Sequence, residues 1–184
     1  MYPLFETLCI ENGKIQNIDL HQARYERSLR EYYGKSAVKI FNLFSLIQLP
    51  EPLQNRLVRC RIDYNAKTTQ IQYFEYHRKI YRTFQPVICD DIEYSLKYAD
   101  RSLINTLFAQ RGSCDEIIII KNGKVTDCSI GNLIFRQGEK WYTPDTPLLL
   151  GTQREKLLQE GKIQETTIFQ KILSILMKLK SLMQ

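Results

Sequence analysis

Four short stretches of this chain hold side chains that could do chemistry. Residues 123–135 read G-K-V-T-D-C-S-I-G-N-L-I-F and set one carboxylate, Asp127, among small and apolar neighbours. A carboxylate drawn away from water titrates at an unusual pH, so its placement asks for a reason. Gly151-Thr152-Gln153-Arg154 follows an apolar leader and reads as the start of a helix running to about Gln159. Backbone N–H groups point outward at such a start and can seat an anion. Lys97 stands alone in S-L-K-Y-A-D-R, and Arg24 lies in H-Q-A-R-Y-E-R-S. An amine, a guanidinium and a carboxylate can move protons and hold anions. Each type is common here, however, with fourteen lysines and twelve arginines, and a single charge is more often solvated surface than site. Their meaning depends on the elements that position them.

Residues 4–10, LFETLCI, have strand composition, and Glu11-Asn12-Gly13-Lys14 supplies a hairpin turn because Asn and Gly tolerate positive φ. Asp19 can cap a helix in which Leu20, Ala23, Leu29 and Tyr32 or Tyr33 recur at helical spacing, with Gly34 as its left-handed stop. Residues 36–47 repeat the helical signal until Leu49-Pro50-Glu51-Pro52 ends it. Residues 56–64 and 68–76 read as paired strands around Asn65-Ala66-Lys67. In the second half, residues 100–110 form a helix stopped by Gly112, and residues 116–120 a strand too uniformly apolar to have a wet face, hence central. Asn122-Gly123 turns that strand back through 124–127, and strands at 132–136 and 141–143 flank a Gln137-Gly138-Glu139 turn. The class expected is α/β (α+β) in two domains. A small N-terminal α+β domain covers 1–84, and a larger C-terminal domain with Lys97 covers 85–184, parted near Gln85-Pro86.

Composition narrows the partners. A chain of 184 residues, 43% hydrophobic, with eight glycines and six prolines, can bury real cores and is neither disordered nor fibrous. No run of about 18 apolar residues is present to span a bilayer. Nor does the start show a basic segment followed by an apolar one, so no membrane partner and a cytoplasmic location are expected. Cys9, Cys60, Cys89, Cys114 and Cys128 are scattered and never spaced C-x-x-C, which indicates reduced thiols and no metal site. The net charge of +6 could favour an anion, but basic residues interleave with acids, as in RYERSLREYYGK. That pattern describes a solvated helix face, and no nucleic-acid partner is expected.

The ordered combination of L-F-E-T, H-Q-A-R-Y-E-R-S, S-L-K-Y-A-D-R, D-E-I-I-I-I-K-N-G-K-V-T-D-C-S-I-G-N-L-I-F and Y-T-P-D-T-P-L-L-L-G-T-Q-R resembles the class IV aminotransferases over residues 4–168. These fold-type IV pyridoxal-phosphate enzymes include branched-chain and D-amino-acid aminotransferases and 4-amino-4-deoxychorismate lyases. The resemblance implies a two-domain fold-type IV architecture, D-amino-acid aminotransferase-like, with pyridoxal 5'-phosphate in a cleft between the domains, and a homodimer. It implies that Lys97 carries the cofactor and later shuttles the substrate's α-proton, a task for an amine that can be neutral near pH 7. By the same resemblance Arg24 contacts the cofactor phosphate, the backbone N–H groups of Thr152 and Gln153 bind it, and Leu149 packs on the ring. Asp127 occupies the place of a glutamate that keeps the pyridine nitrogen protonated and so makes the ring a better electron sink.

The chain also departs from that pattern. Aspartate at 127 is one methylene shorter than glutamate, and Gln153 stands where the family carries threonine, which leaves a backbone bond to the phosphate. The family's Gly-Asp-Gly hairpin does not precede the F-E-T strand, since Met1-Tyr2-Pro3 stands there. Residues 169–184, FQKILSILMKLKSLMQ, carry no acid where the family has a strand and a turn; Ile172, Ile175, Leu176 and Leu179 fit an amphipathic helix instead. The wording L-F-E-T, V-T-D-C and N-L-I-F leans toward a lyase that converts 4-amino-4-deoxychorismate to p-aminobenzoate, for folate synthesis, and pyruvate. An amino-acid aminotransferase of branched-chain or D-amino-acid type is the alternative, because both reactions use the same lysine, phosphate cup and electron sink. A homologue that folds without catalysis is the second alternative. Either enzyme acts on a small amino-acid-like molecule.

Overall fold

Alternation along L-F-E-T-L-C-I-E folds as strand β1 (Leu4–Glu11), with Leu4, Glu6, Leu8 and Ile10 on one fully buried face. The structure, a computed structural model, describes residues 1–34, 38–175 and 178–182. Asn12 and Gly13, at φ 50° and 73°, turn the chain into β2 (Lys14–Ile15). Helix α1 (Ile18–Tyr33) starts after Asn17 rather than at Asp19: Asn17 holds the cap position at φ 53°. Asp19 falls in the first turn, where its charge suits the helix dipole. Gly34, at φ 82°, ends the helix as the sequence suggests. Strands β3 (Leu57–Tyr64) and β4 (Thr69–Glu75) complete an antiparallel sheet of order β2-β1-β3-β4. Tyr25 and Leu29 of α1 pack with Leu8, Ile10, Val58, Cys60 and Ile62 in the core of this layer.

The long helix expected over 36–47 does not form. Residues 35–37 lie outside the described residues, residues 38–42 are irregular, and only α2 (Leu43–Leu46) is helical. Gln22 explains the difference: its side-chain amide donates to Phe41 O at 3.0 Å and its oxygen accepts from Leu43 N–H at 2.8 Å. Backbone groups that a helix would pair internally are satisfied from α1 instead.

The second half contains two further sheets. Strand β5 (Phe84–Ile88) runs parallel to β6 (Glu116–Lys121), which turns at Asn122-Gly123 into β7 (Lys124–Val125). The strand order β5-β6-β7 puts the apolar β6 in the centre, as its composition requires. Helix α3 (Ser102–Ala109) precedes it. The other sheet has order β10-β9-β8-β11, from β8 (Asn132–Gln137), β9 (Lys140–Pro144), β10 (Gln164–Thr166) and β11 (Lys178–Leu182), with α4 (Thr152–Gln159) between β9 and β10. The amphipathic helix suggested by the tail is replaced by a 3-10 turn at Gln170–Ile175 and by β11, which pairs antiparallel with β8. An open strand edge on β8 offers that segment ladder bonds that a short helix lacks.

The described residues group into two compact units, those of 1–79 with 96–100, and those of 80–95 with 101–182. This differs from a single cut near residue 84, because the segment bearing Lys97 returns to the first unit. Phe5 N–H donates to Lys97 O at 3.0 Å, Ala99 N–H to Pro3 O at 2.8 Å, and Leu4 bridges Tyr98. Among the described residues no helix is long and apolar enough to cross a membrane.

Candidate functional site

Period two puts Glu6 on the face of β1 that belongs to the apolar core, and there it is 0% exposed. An uncompensated carboxylate in such a place costs on the order of several kcal/mol. His21 and Arg24, three residues apart on the buried side of α1, compensate it. Arg24 donates from Nε to Glu6 Oε1 at 2.8 Å and from Nη2 to Oε2 at 2.6 Å, and His21 Nδ1 lies 2.7 Å from Oε2. Burial pushes the Glu6 carboxyl up, but the Arg24 charge and the hydrogen bonds from His21 and Arg24 outweigh it. The group is held well below the usual carboxylate range. Burial lowers the His21 pKa against the pull of Glu6, and the charges of Arg24 and Lys97 act in the same direction as burial. His21 is therefore a neutral imidazole that donates its Nδ1 proton to an ionised Glu6. The trio is electrically balanced, and it fixes the guanidinium of Arg24 in two directions.

Lys97 is carried by the strap along the start of β1. It is 9% exposed, with its Nζ 5.0 Å from the centroid of the Phe5 ring. The Arg61 guanidinium lies 3.9 Å from the same ring and is tied to Asp63 by bonds of 2.7 and 2.5 Å. Phe5 points away from Glu6 because adjacent residues of a strand face opposite sides. One short strand thus positions a side chain toward the arginine and another toward the lysine.

In the second unit Asp127 is 5% exposed, and its carboxylate accepts three hydrogen bonds. Asn132 Nδ2 donates to Asp127 Oδ1 at 2.7 Å and to Leu149 O at 2.8 Å. The N–H groups of Leu148 and Leu149 both donate to Oδ2 at 3.1 Å. Burial pushes the Asp127 carboxyl up to about 6, although the Leu149 N–H, the Asn132 amide, the Leu148 N–H and the Arg154 charge pull the other way. The neighbouring turn is held separately: Ser129 donates its hydroxyl to buried Glu116 at 2.9 Å, and Arg101 donates to Ser129 O at 2.6 Å.

Gly151 then leads into α4. A Cβ at this residue would lie 2.0 Å from Asn132 Oδ1, so any residue but glycine would displace the asparagine side chain. Thr152 is buried and Gln153 half-buried at the first turn. Arg154, which follows them, is turned into the protein, where it meets Thr143 Oγ1 at 3.3 Å, Pro144 O at 3.0 Å and the Glu165 carboxylate. Thr126 and Leu148, neighbours of Asp127 and Leu149, line a cavity of about 450 Å³ with Tyr94, Ser95, Lys121 and Lys124.

Of the candidates read from the sequence, Arg24 and Lys97 thus stand in the first unit, and Asp127, Leu149, Thr152 and Gln153 in the second. Glu6, His21 and Asn132 were not singled out. A signal exists for the first pair: a carboxylate at a core-facing strand position, followed by His and Arg at i and i+3 of a helix, asks to be paired. Nothing local announces Asn132, whose partners lie in a distant turn. Among the described residues no group of three or more His, Cys, Asp and Glu side chains could hold a metal ion.

Comparison with known proteins places these features in context. A family model described as amino-transferase class IV matches residues 94–174. An uncharacterized protein of Haemophilus influenzae strain Rd is 93% identical over 170 residues, 92% of this chain and 90% of that one. A candidate 4-amino-4-deoxychorismate lyase of Haemophilus somnus 129pt has a crystal structure that matches with a TM-score of 0.95 at 50% identity, covering 100% of this chain and 96% of that one. A hypothetical aminotransferase of Mycobacterium tuberculosis, in its alpha-ketoglutarate and PMP bound form, shares the fold with a TM-score of 0.75 at 12% identity, covering 99% of this chain and 77% of that one.

Proposed function

Because the chain belongs to the class IV aminotransferase family, we propose that it is a pyridoxal-phosphate-dependent lyase converting 4-amino-4-deoxychorismate to p-aminobenzoate and pyruvate. The observation that carries the lyase reading is the 50% identity, over the full length of this chain, to the Haemophilus somnus candidate lyase.

The residues present fit the cofactor by their chemistry. Lys97 is a buried amine able to bind an aldehyde, and Arg24 is a guanidinium already oriented by Glu6 and His21 for an anion. An ionised carboxylate has about four acceptor positions. Asp127 uses three, and the position left on Oδ1 can take a protonated ring nitrogen. That neighbouring positive charge would also lower the Asp127 pKa and so keep the carboxylate ionised at neutral pH. Thr152 and Gln153 would supply backbone N–H groups to the phosphate, and Leu149 an apolar surface to the ring.

When bound, pyridoxal phosphate supplies an electron sink for a bond broken at the substrate's α-carbon. The chain's own work is proton management. As a neutral amine Lys97 would take the proton from the substrate's α-carbon; the adjacent C–O bond then breaks with its electron pair on the leaving enolpyruvyl oxygen, and that group takes up a proton to become pyruvate. The Phe5 ring, its centroid 5.0 Å from Lys97 Nζ, would shield one side of that amine.

An aminotransferase reading is favoured by the family match and uses the same residues, with Lys97 delivering the proton back to the cofactor side. Pyruvate released in many turnovers without any keto acid is the expected result. Turnover that stops after one equivalent unless a keto acid is added would instead establish the aminotransferase. The purified protein should carry a visible chromophore that borohydride fixes, and Lys97→Ala should not. Absence of the chromophore after soaking in pyridoxal phosphate would leave the non-catalytic homologue. The proposal includes a homodimer, to be checked by sedimentation.

A further inference from the structure

Residues 145–151 belong to neither helix nor strand. Asp145 N–H still donates to Thr166 O at 3.1 Å, and beyond it side chains hold the turn. Asn132 uses both amide hydrogens, one on Asp127 Oδ1 and one on Leu149 O. Asp127 Oδ2 receives the N–H groups of both Leu148 and Leu149. The turn is thereby held by its donors and by an acceptor at once, and Gly151 closes against the back of the same asparagine. Helix α4 starts at the next residue, Thr152.

Resting on the reading of Thr152 and Gln153 as the phosphate seat, we propose that Asp127 and Asn132 form a joint that positions this seat through the 148–151 turn. Asn132 is then a positioning residue for the phosphate, and Asp127 has a second task beyond the ring nitrogen. The donor pattern admits no easy substitute. Asparagine at 127 would keep one oxygen for Leu148 and Leu149 but turn an amide donor toward the Asn132 donor.

The test separates ring from phosphate by comparing the affinities of pyridoxal and pyridoxal 5'-phosphate, measured by absorbance titration. In the unaltered chain the phosphate should add affinity. Asn132→Ser should cut that advantage, taken as the ratio of the two affinities, about tenfold, the scale of one charge-assisted hydrogen bond. Gly151→Ala, which displaces Asn132 from behind, should do the same, and Asp127→Asn should lower both pyridoxal affinity and the phosphate advantage. An undiminished phosphate advantage in folded variants would overturn the joint. Should the variants not fold, hydrogen exchange on the unaltered chain decides. The Leu148 and Leu149 amides must be protected together with the Asn132 side chain, and free exchange there would equally overturn it. If neither ligand binds the unaltered chain, the cofactor reading fails instead, and the exchange experiment still reports on the joint.

Discussion

Two buried carboxylates in this chain answer acid in opposite ways. The folded pKa of Glu6 lies below its ordinary value of 4.5, so its contribution to stability is complete above that value and is lost as pH falls through the folded one. His21 acts in the same sense, because protonating a ring that the fold keeps neutral costs stability below its ordinary 6.5. Asp127 is reversed. Its folded value of about 6 lies above the ordinary 3.8, so its contribution is complete below 3.8 and is lost as pH rises through about 6. Denaturation of the cofactor-free protein at pH 7 and pH 4.5, alongside Asp127→Asn, isolates this group from Glu6 and His21. Relative to the variant, the unaltered chain should gain about 2 kcal/mol on going to the lower pH. Parallel changes in the two proteins would show that Asp127 titrates as an ordinary carboxylate.

At the scale of elements, what could be read in advance was what the local chain decides. Asn12-Gly13 and Asn122-Gly123 adopt positive φ wherever they stand, so both hairpins were legible. Uniform apolarity marked β6 as central because no side of it tolerates water. The fate of residues 38–47 was not legible, since Gln22, far upstream, decides it. The tail likewise becomes a strand through an edge on β8 that no helical periodicity could reveal. Within the candidate site the same division holds. Lys97 and Arg24 stand out through their motifs, whereas Asn132 shows its purpose only once its turn meets Asp127 and Leu149. Gln22→Ala should therefore cost about 1–2 kcal/mol in urea denaturation and open residues 38–49 to proteases while leaving α1 helical. Unchanged proteolysis would mean that core contacts of Leu43 alone hold the segment.

For the molecule as a whole, neither unit is a contiguous stretch of sequence. The first needs residues 96–100, which satisfy Pro3 O and Phe5 N–H and bring Leu96 to the core. A fragment of residues 1–79 should lack the cooperative urea transition that residues 1–100 show by circular dichroism. Equal transitions would mean that the strap adds nothing to the first unit. This connectivity also orders events on a ribosome. The sheet and helix around Glu6 and Arg24 emerge from the exit tunnel well before the stretch bearing Lys97. A nascent chain can thus finish most of its first layer while its amine is still to come, and within that unit the group that would meet a reactive aldehyde is delivered last.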